Sequence, residues 1–344
     1  MTDSNPMQDL YARLERAGIE KWYVREYVLP DWWDDEIAES STGFLEAVGY
    51  IAKHLGIKPS DLRNEESSLS ARDVAGARFK LRDGIHSDEV TWAQSIAVRA
   101  GEMAAYATPT SYHLSLDTTA NSIRKDILEN GAGWVSLENL LNLCWEVGVP
   151  VLHIPDVPGK KMDGIVVGTD DRPAIVLSID HKHKAKLLFI LAHELGHIFH
   201  GHVGEGNVVI DEEYTPDADD SQEQQANQFA VELIFGESDF AAGVRRYIEA
   251  AELAEIARKY GIENQISPGA LVLNAAYHDS RIKNPWPRAH AALNKLDPDQ
   301  DAPELIRSEL RERLDWSLLP EESADFLTRV TGVDQNTEFV PAGH

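Results

Sequence analysis

LFILAHELGHIFHGH, residues 188–202, is the stretch whose reading decides the rest of the chain. It carries His193, Glu194 and His197 in the order H-E-x-x-H. On a helix, residues i and i+4 lie on one face a turn apart, so both imidazoles can aim a ring nitrogen at one Zn²⁺. Glu194 lies roughly 100° further round, where its carboxylate can reach a water at the metal without filling the coordination sphere. The chemistry needs these parts. Neutral imidazoles hold the metal, the metal acidifies water, and a carboxylate takes the proton as a carbonyl is attacked. Leu187 to Ala192 precede the motif, and Leu195, Ile198 and Phe199 continue its apolar content. That flank predicts a buried helix, in which histidines need partners, rather than a surface helix with two solvated histidines.

A zinc peptidase site also needs a third protein ligand and an open position. The longer pattern H-E-x-x-H-x-x-G-x-x-H is excluded, because His200 and Val203 stand where it requires Gly and His. The third ligand is therefore expected on a later helix. In SQEQQANQFAVELIF, residues 221–235, Ala226, Phe229, Ala230, Leu233 and Ile234 form an apolar stripe at helical spacing. Glu223 sits three residues before it, on the inward side, whereas Glu232 is expected to face away. Glu223 also fits a first-turn carboxylate that stabilises the helix dipole after Ser221. Glu212, Glu213 and Asp217 in the preceding acidic stretch are substitute ligands, so spacing alone leaves the choice open.

A-H-E-L-G-H (192–197) followed by E-x-x-A-N-x-F-A (223–230) resembles the ImmA/IrrE family of bacterial metallopeptidases. The resemblance covers roughly residues 118–236. It implies a zincin-like α+β fold, mostly helical, with a small mixed or antiparallel sheet against the motif helix. It implies metal ligands His193, His197 and Glu223, with Glu194 as catalytic base. The family acts in cytoplasmic regulation by cleaving helix-turn-helix repressors. Its usual L-L-M-P after the second motif is here Leu233-Ile234-Phe235-Gly236, a departure at the helix end that leaves the ligands untouched. Zn²⁺ is the expected cofactor, although a His₂Glu set also suits Mn²⁺ or Fe²⁺.

The 344-residue chain carries a formal net charge of −26 and one cysteine, Cys144. An acidic chain repels phosphate backbones, so general nucleic-acid binding is not expected and a basic protein partner is favoured. The single cysteine excludes an internal disulfide framework and reads as a buried structural thiol. With no run of 18 apolar residues and a polar N-terminus, no membrane span or signal peptide is expected, and the default location is cytoplasmic.

Four regions follow from the patterning. Residues 1–66 read as a helical module whose GFLEAVGYIAKHLGIKPSDLRN resembles a phage-repressor-like helix-turn-helix. Its 14 acidic against 7 basic residues argue for a protein-facing role over DNA reading. Within it, Trp32 and Trp33 fit either an exposed anchor or the core. Residues 67–117 read as a polar linker with the basic patch RFKLR (78–82), then a helical connector over 88–107. Residues 118–236 form the peptidase, with Ser136 capping a helix, a strand at 149–155, and two strands around Asp170-Asp171-Arg172-Pro173. The second of these, Ala174–Ser178, is expected to border the cleft and pair with extended substrate backbone. His153 is expected to be packed or on the surface. His181 and His183 read as surface, His200 as a solvated helix end, and His202 is weakly placed. Residues 203–223 hold eight acidic residues, an acidic rim with one short strand at 207–210. Residues 237–344 are helical, with Ser267 and Pro268 opening one helix, an irregular stretch over 284–298 and a disordered tail. Tyr214, Tyr277 and His278 are candidates to polarise an oxyanion, and nothing selects among them.

The expectation is a metallo-endopeptidase that cleaves a regulatory protein, with two rivals. One is a non-enzymatic regulator or antitoxin-like binding protein. The other is a DNA-binding regulator with a peptidase-like sensor domain.

Overall fold

The computed structural model describes residues 6–69, 92–113, 118–159, 162–169, 172–202, 208–211, 221–243 and 246–334. A four-stranded sheet divides the molecule. Its strands are β1 (Val151–His153), β2 (Gly164–Thr169), β3 (Arg172–Leu177) and β4 (Val208–Asp211), in the order β1-β3-β2-β4. β1 runs parallel to β3, and β2 is antiparallel to both β3 and β4. The α+β class is therefore as expected, including the short strand in the acidic segment. The edge assignment differs. β3 has a partner on each side, so its backbone is already paired, and among the described residues the edge strand beyond β2 is β4. The expectation that Ala174–Ser178 would pair with substrate is corrected accordingly.

Alternation along the strands sends neighbouring side chains to opposite faces. Leu152, Ile165, Val167 and Val176 enter one core. Val151, Val166, Ile175 and Leu177 enter the other. The first core is closed by helices from both ends of the chain. These are α1 (Pro6–Arg16), α2 (Ser41–Leu55), α3 (Pro59–Arg63), α4 (Trp92–Ala107) and, remote in sequence, α13 (Glu321–Thr331). α4 lies directly on the sheet and is buried almost all round. At Gly101 a Cβ would come within 3.0 Å of Val167, so the absent side chain permits the close crossing. α3, the would-be recognition helix, is only five residues long. Trp33 is buried while Trp32 is exposed. The basic patch at 78–82 and the linker expected over 64–75, from residue 70 on, lie outside the described residues.

The second core holds α5 (Ala120–Glu129), α6 (Leu137–Glu146), α7 (Lys184–Phe199), α8 (Ser221–Phe235), α9 (Ala250–Asn264), α10 (Pro268–Tyr277) and α11 (Trp286–Leu296). α12 (Ala302–Arg313) spans the boundary, with Ile306 in this core and Leu310 in the other. Local signals behave as read. Ser136 and Asn139 form a capping box on α6, and Ser267 accepts from the Ala270 N–H at the start of α10. Cys144 is fully buried, and desolvation pushes its thiol up to about 12. α11 corrects the expected irregular stretch over 284–298. Pro285 and Pro287 sit at its start, where the ring replaces N–H groups that have no intrahelical acceptor anyway. Among the described residues no helix is long and apolar enough to cross a membrane.

Candidate metal centre

α7 is buried on nearly every side, as its apolar flank predicts. His193 is 5 % exposed, and Glu194 and His197 are fully buried. α7 meets α8 through small residues. A Cβ on Gly196 would lie 3.0 Å from the Ala226 Cα and 3.2 Å from the Phe229 Cβ. The two helices therefore approach closely at Gly196 and Ala226. On each helix a proposed ligand sits three residues before that contact, on the same face. This explains why H-E-L-G-H and E-x-x-A carry a Gly and an Ala where they do.

The result is a convergence of three acceptors. His193 Nε2 and His197 Nε2 are 3.1 Å apart. Glu223 places one carboxylate oxygen 3.3 Å from His193 Nε2 and the other 3.6 Å from His197 Nε2. One ligand atom from each residue fits within 4.8 Å of the other two. Two donors at tetrahedral Zn distances of about 2.0–2.1 Å stand about 3.3–3.4 Å apart, close to this spacing. Imidazole lone pairs and a carboxylate aimed at one point repel each other unless a positive charge lies between them. The donor set therefore fits a divalent ion. Glu212, Glu213 and Asp217, the substitute ligands, lie outside the described residues, as does Tyr214. Glu232 faces elsewhere and accepts from Asn121 Nδ2 at 2.5 Å.

Glu194 points to the sheet side of α7. Gly164, the first residue of β2, meets it directly: a Cβ there would lie 2.1 Å from Glu194 Oε1. Only a residue without a side chain leaves room for the carboxylate in this position. Sequence reasoning missed Gly164. An isolated Gly opening a strand is a known mark of close backbone approach, so the signal was present.

The remaining histidines separate clearly. His200 is exposed at the end of α7, as expected. His202 is not weakly placed. Gly201, at φ +66°, ends α7, with Gly201 N–H bonded to Ile198 O and His202 N–H to His197 O. This pair of bonds is a Schellman turn, which returns the second residue past the cap onto the last helical turn. His202 Nδ1 thereby lies 2.9 Å from His197 Nδ1. His153 is buried and its Nε2 faces the Ile179 carbonyl at 3.0 Å. His181 and His183 correct the surface reading. His183 is 4 % exposed, and the two pack with His290 of α11 at ring separations of 4.9 to 5.6 Å. Desolvation, then the neighbouring His181 and His290, pushes the His183 imidazole down to about 4.

Beside the centre lies an open cavity of about 670 Å³. Its lining includes Phe189, one turn before His193, Gln224, next to Glu223, and Asp163, next to Gly164. Its apolar wall includes Phe235, Leu273, Tyr277 and Trp286.

α8 ends at Gly236, φ +88°, in place of the Pro of L-L-M-P. Buried Arg124 of α5 caps that end, donating to Ile234 O at 2.8 Å and to Gln265 O at 2.6 Å.

Comparison with known proteins agrees with this geometry. Residues 145–266 match the family model described as the IrrE N-terminal-like domain, of the peptidase M78 type. No curated protein and no solved structure gives a significant match. The matched span contains β1 to β4, α7 and α8, with all four motif residues, His193, Glu194, His197 and Glu223. Over residues 145–266, the chain is similar to the IrrE N-terminal-like domain, which supports the resemblance to the ImmA/IrrE metallopeptidases.

Proposed function

We propose that the protein is a zinc-dependent endopeptidase whose substrate is a regulatory protein, such as a helix-turn-helix repressor, in the cytoplasm. The observation that carries this reading is the convergence of His193 Nε2, His197 Nε2 and the Glu223 carboxylate within 4.8 Å, with Glu194 buried beside them. His193, His197 and Glu223 would hold the ion. When bound, the ion supplies Lewis acidity: it lowers the pKa of water and polarises a carbonyl.

The chain's own groups do the rest. Glu194 accepts the proton of the attacking water at its carboxylate and passes it to the leaving amine. Gly164 leaves the space that keeps this carboxylate beside the centre. The adjoining cavity receives bulky apolar side chains of the substrate, and its walls exclude water from them. Among the described residues β4 is an edge strand, and it offers backbone groups to an extended peptide. The net charge of −26 supports a basic partner, as DNA-binding repressors commonly are.

The test is metal content of the purified chain beside Glu223→Ala. About one zinc per chain in the wild type, largely lost in the variant, is the expected result. Wild type that holds no metal after reconstitution overturns the reading in favour of a non-enzymatic binding role.

A further inference from the structure

The polar groups behind the metal centre form a continuous chain. His197 Nδ1 faces His202 Nδ1 at 2.9 Å, and His202 Nε2 faces Gln225 Oε1 at 3.2 Å. The proton positions along it follow from the metal-binding role of His197, so this inference rests on the function proposed above. His197 Nε2 faces His193 and Glu223 and must present a lone pair. Its proton is therefore on Nδ1 and donates to His202 Nδ1. That in turn places the His202 proton on Nε2, where it donates to the Gln225 amide oxygen. Every contact is then a donor meeting an acceptor.

We propose that His202 and Gln225 are positioning residues for the metal centre: together they fix the tautomer and ring plane of His197. Gln225 leaves the same helix as Glu223, two residues further on. The relay therefore runs from the histidine ligand of one helix to the helix that carries the carboxylate ligand. A ligating imidazole commonly donates its second N–H to a carboxylate or carbonyl. Here a neutral His–Gln pair takes that place. The Schellman turn makes this possible, since His202 reaches His197 only because Gly201 turns the chain back.

The test is zinc affinity of the full chain, by competition with a chromophoric chelator at fixed pH, together with melting of the metal-free protein. His202→Ala should weaken zinc binding about 10- to 100-fold. Gln225→Ala should weaken it less, and the double variant should match His202→Ala, because the relay is already broken. His202→Asn should recover most of the affinity, since its Oδ1 stands near the place of the ring Nδ1 and accepts the same proton. Metal-free melting should be unchanged in all four. Wild-type affinity in His202→Ala would overturn the proposal. So would a His202→Asn as weak as the alanine, or metal-free melting that falls with affinity. A wild type that binds no zinc would instead remove the metal-site reading, and this relay with it.

Discussion

The two faces of the sheet offer a controlled contrast. Each is covered by helices and each buries histidine. On the cover face, formed by helices from both ends of the chain, His54 is fully buried. Its Nδ1 faces the Val28 carbonyl at 2.6 Å, and its ring stacks on Phe326 at 4.4 Å. It is a packed core residue partnered through Nδ1, and desolvation pushes it down to about 4. On the site face, His193 and His197 are buried as deeply, yet their Nε2 atoms aim at each other and at Glu223. The difference lies in direction and not in burial. A histidine becomes a ligand where its lone pair meets other lone pairs, and a packing residue where it meets a carbonyl or a ring.

This contrast breaks most sharply at Glu194. Glu194→Gln should reduce peptide cleavage about 10²–10⁴-fold while zinc content stays near one per chain. Turnover equal to wild type would remove the distinction between the faces. On the cover face the opposite pattern is expected. Phe326→Ala should cost about 3–5 kcal/mol of stability and leave the metal in place, read by denaturant unfolding with parallel metal analysis. Loss of zinc from that variant would show that the faces are coupled.

Gly164→Ala sharpens the comparison within the site face. The new methyl displaces the Glu194 carboxylate, so turnover should fall about 10-fold or more with zinc affinity retained. Unchanged kcat would show that Glu194 tolerates another position. The smallest effect concerns pH. His54 and His183 are neutral in the fold and gain protons more readily when unfolded, so the unfolded state binds more protons as pH falls. Their contribution is present above about pH 6.5 and is lost as pH drops towards 4. His183→Gln should flatten the decline of the metal-free melting temperature across that window. A slope identical to wild type would exclude His183 as a contributor.

The metal centre was legible because its information is local. H-E-x-x-H places its two histidines by helical spacing, whereas spacing left Glu223 open beside Glu212, Glu213 and Asp217, and the family resemblance and the approach of the two helices had to supply it. The parts that escaped depend on other scales. Strand order placed β3 inside the sheet and β4 at the edge, and no spacing within either strand encodes that. His183 alternates with lysines and looked solvated, yet it tucks against His290 from a helix over a hundred residues later. His202 was different, since its signal was local and overlooked. A Gly just after a helix pairs the residue beyond it with the one five positions earlier, and those are His202 and His197. Pro285 and Pro287 looked like breakers because their place in a first turn is visible only once the helix is known.

Arg124 draws a boundary that similarity does not. It lies upstream of residues 145–266, the span that matches the family model. Yet its guanidinium holds the carbonyl end of α8, the helix that carries Glu223, to the turn at Gln265. The stretch that matches the family model is thus shorter than the stretch these hydrogen bonds hold together. A gene fragment trimmed to the recognised limits would encode both ligand helices and leave out the brace between them. A fragment of this chain meant to keep α8 braced therefore has to begin before α5, well upstream of the matched span.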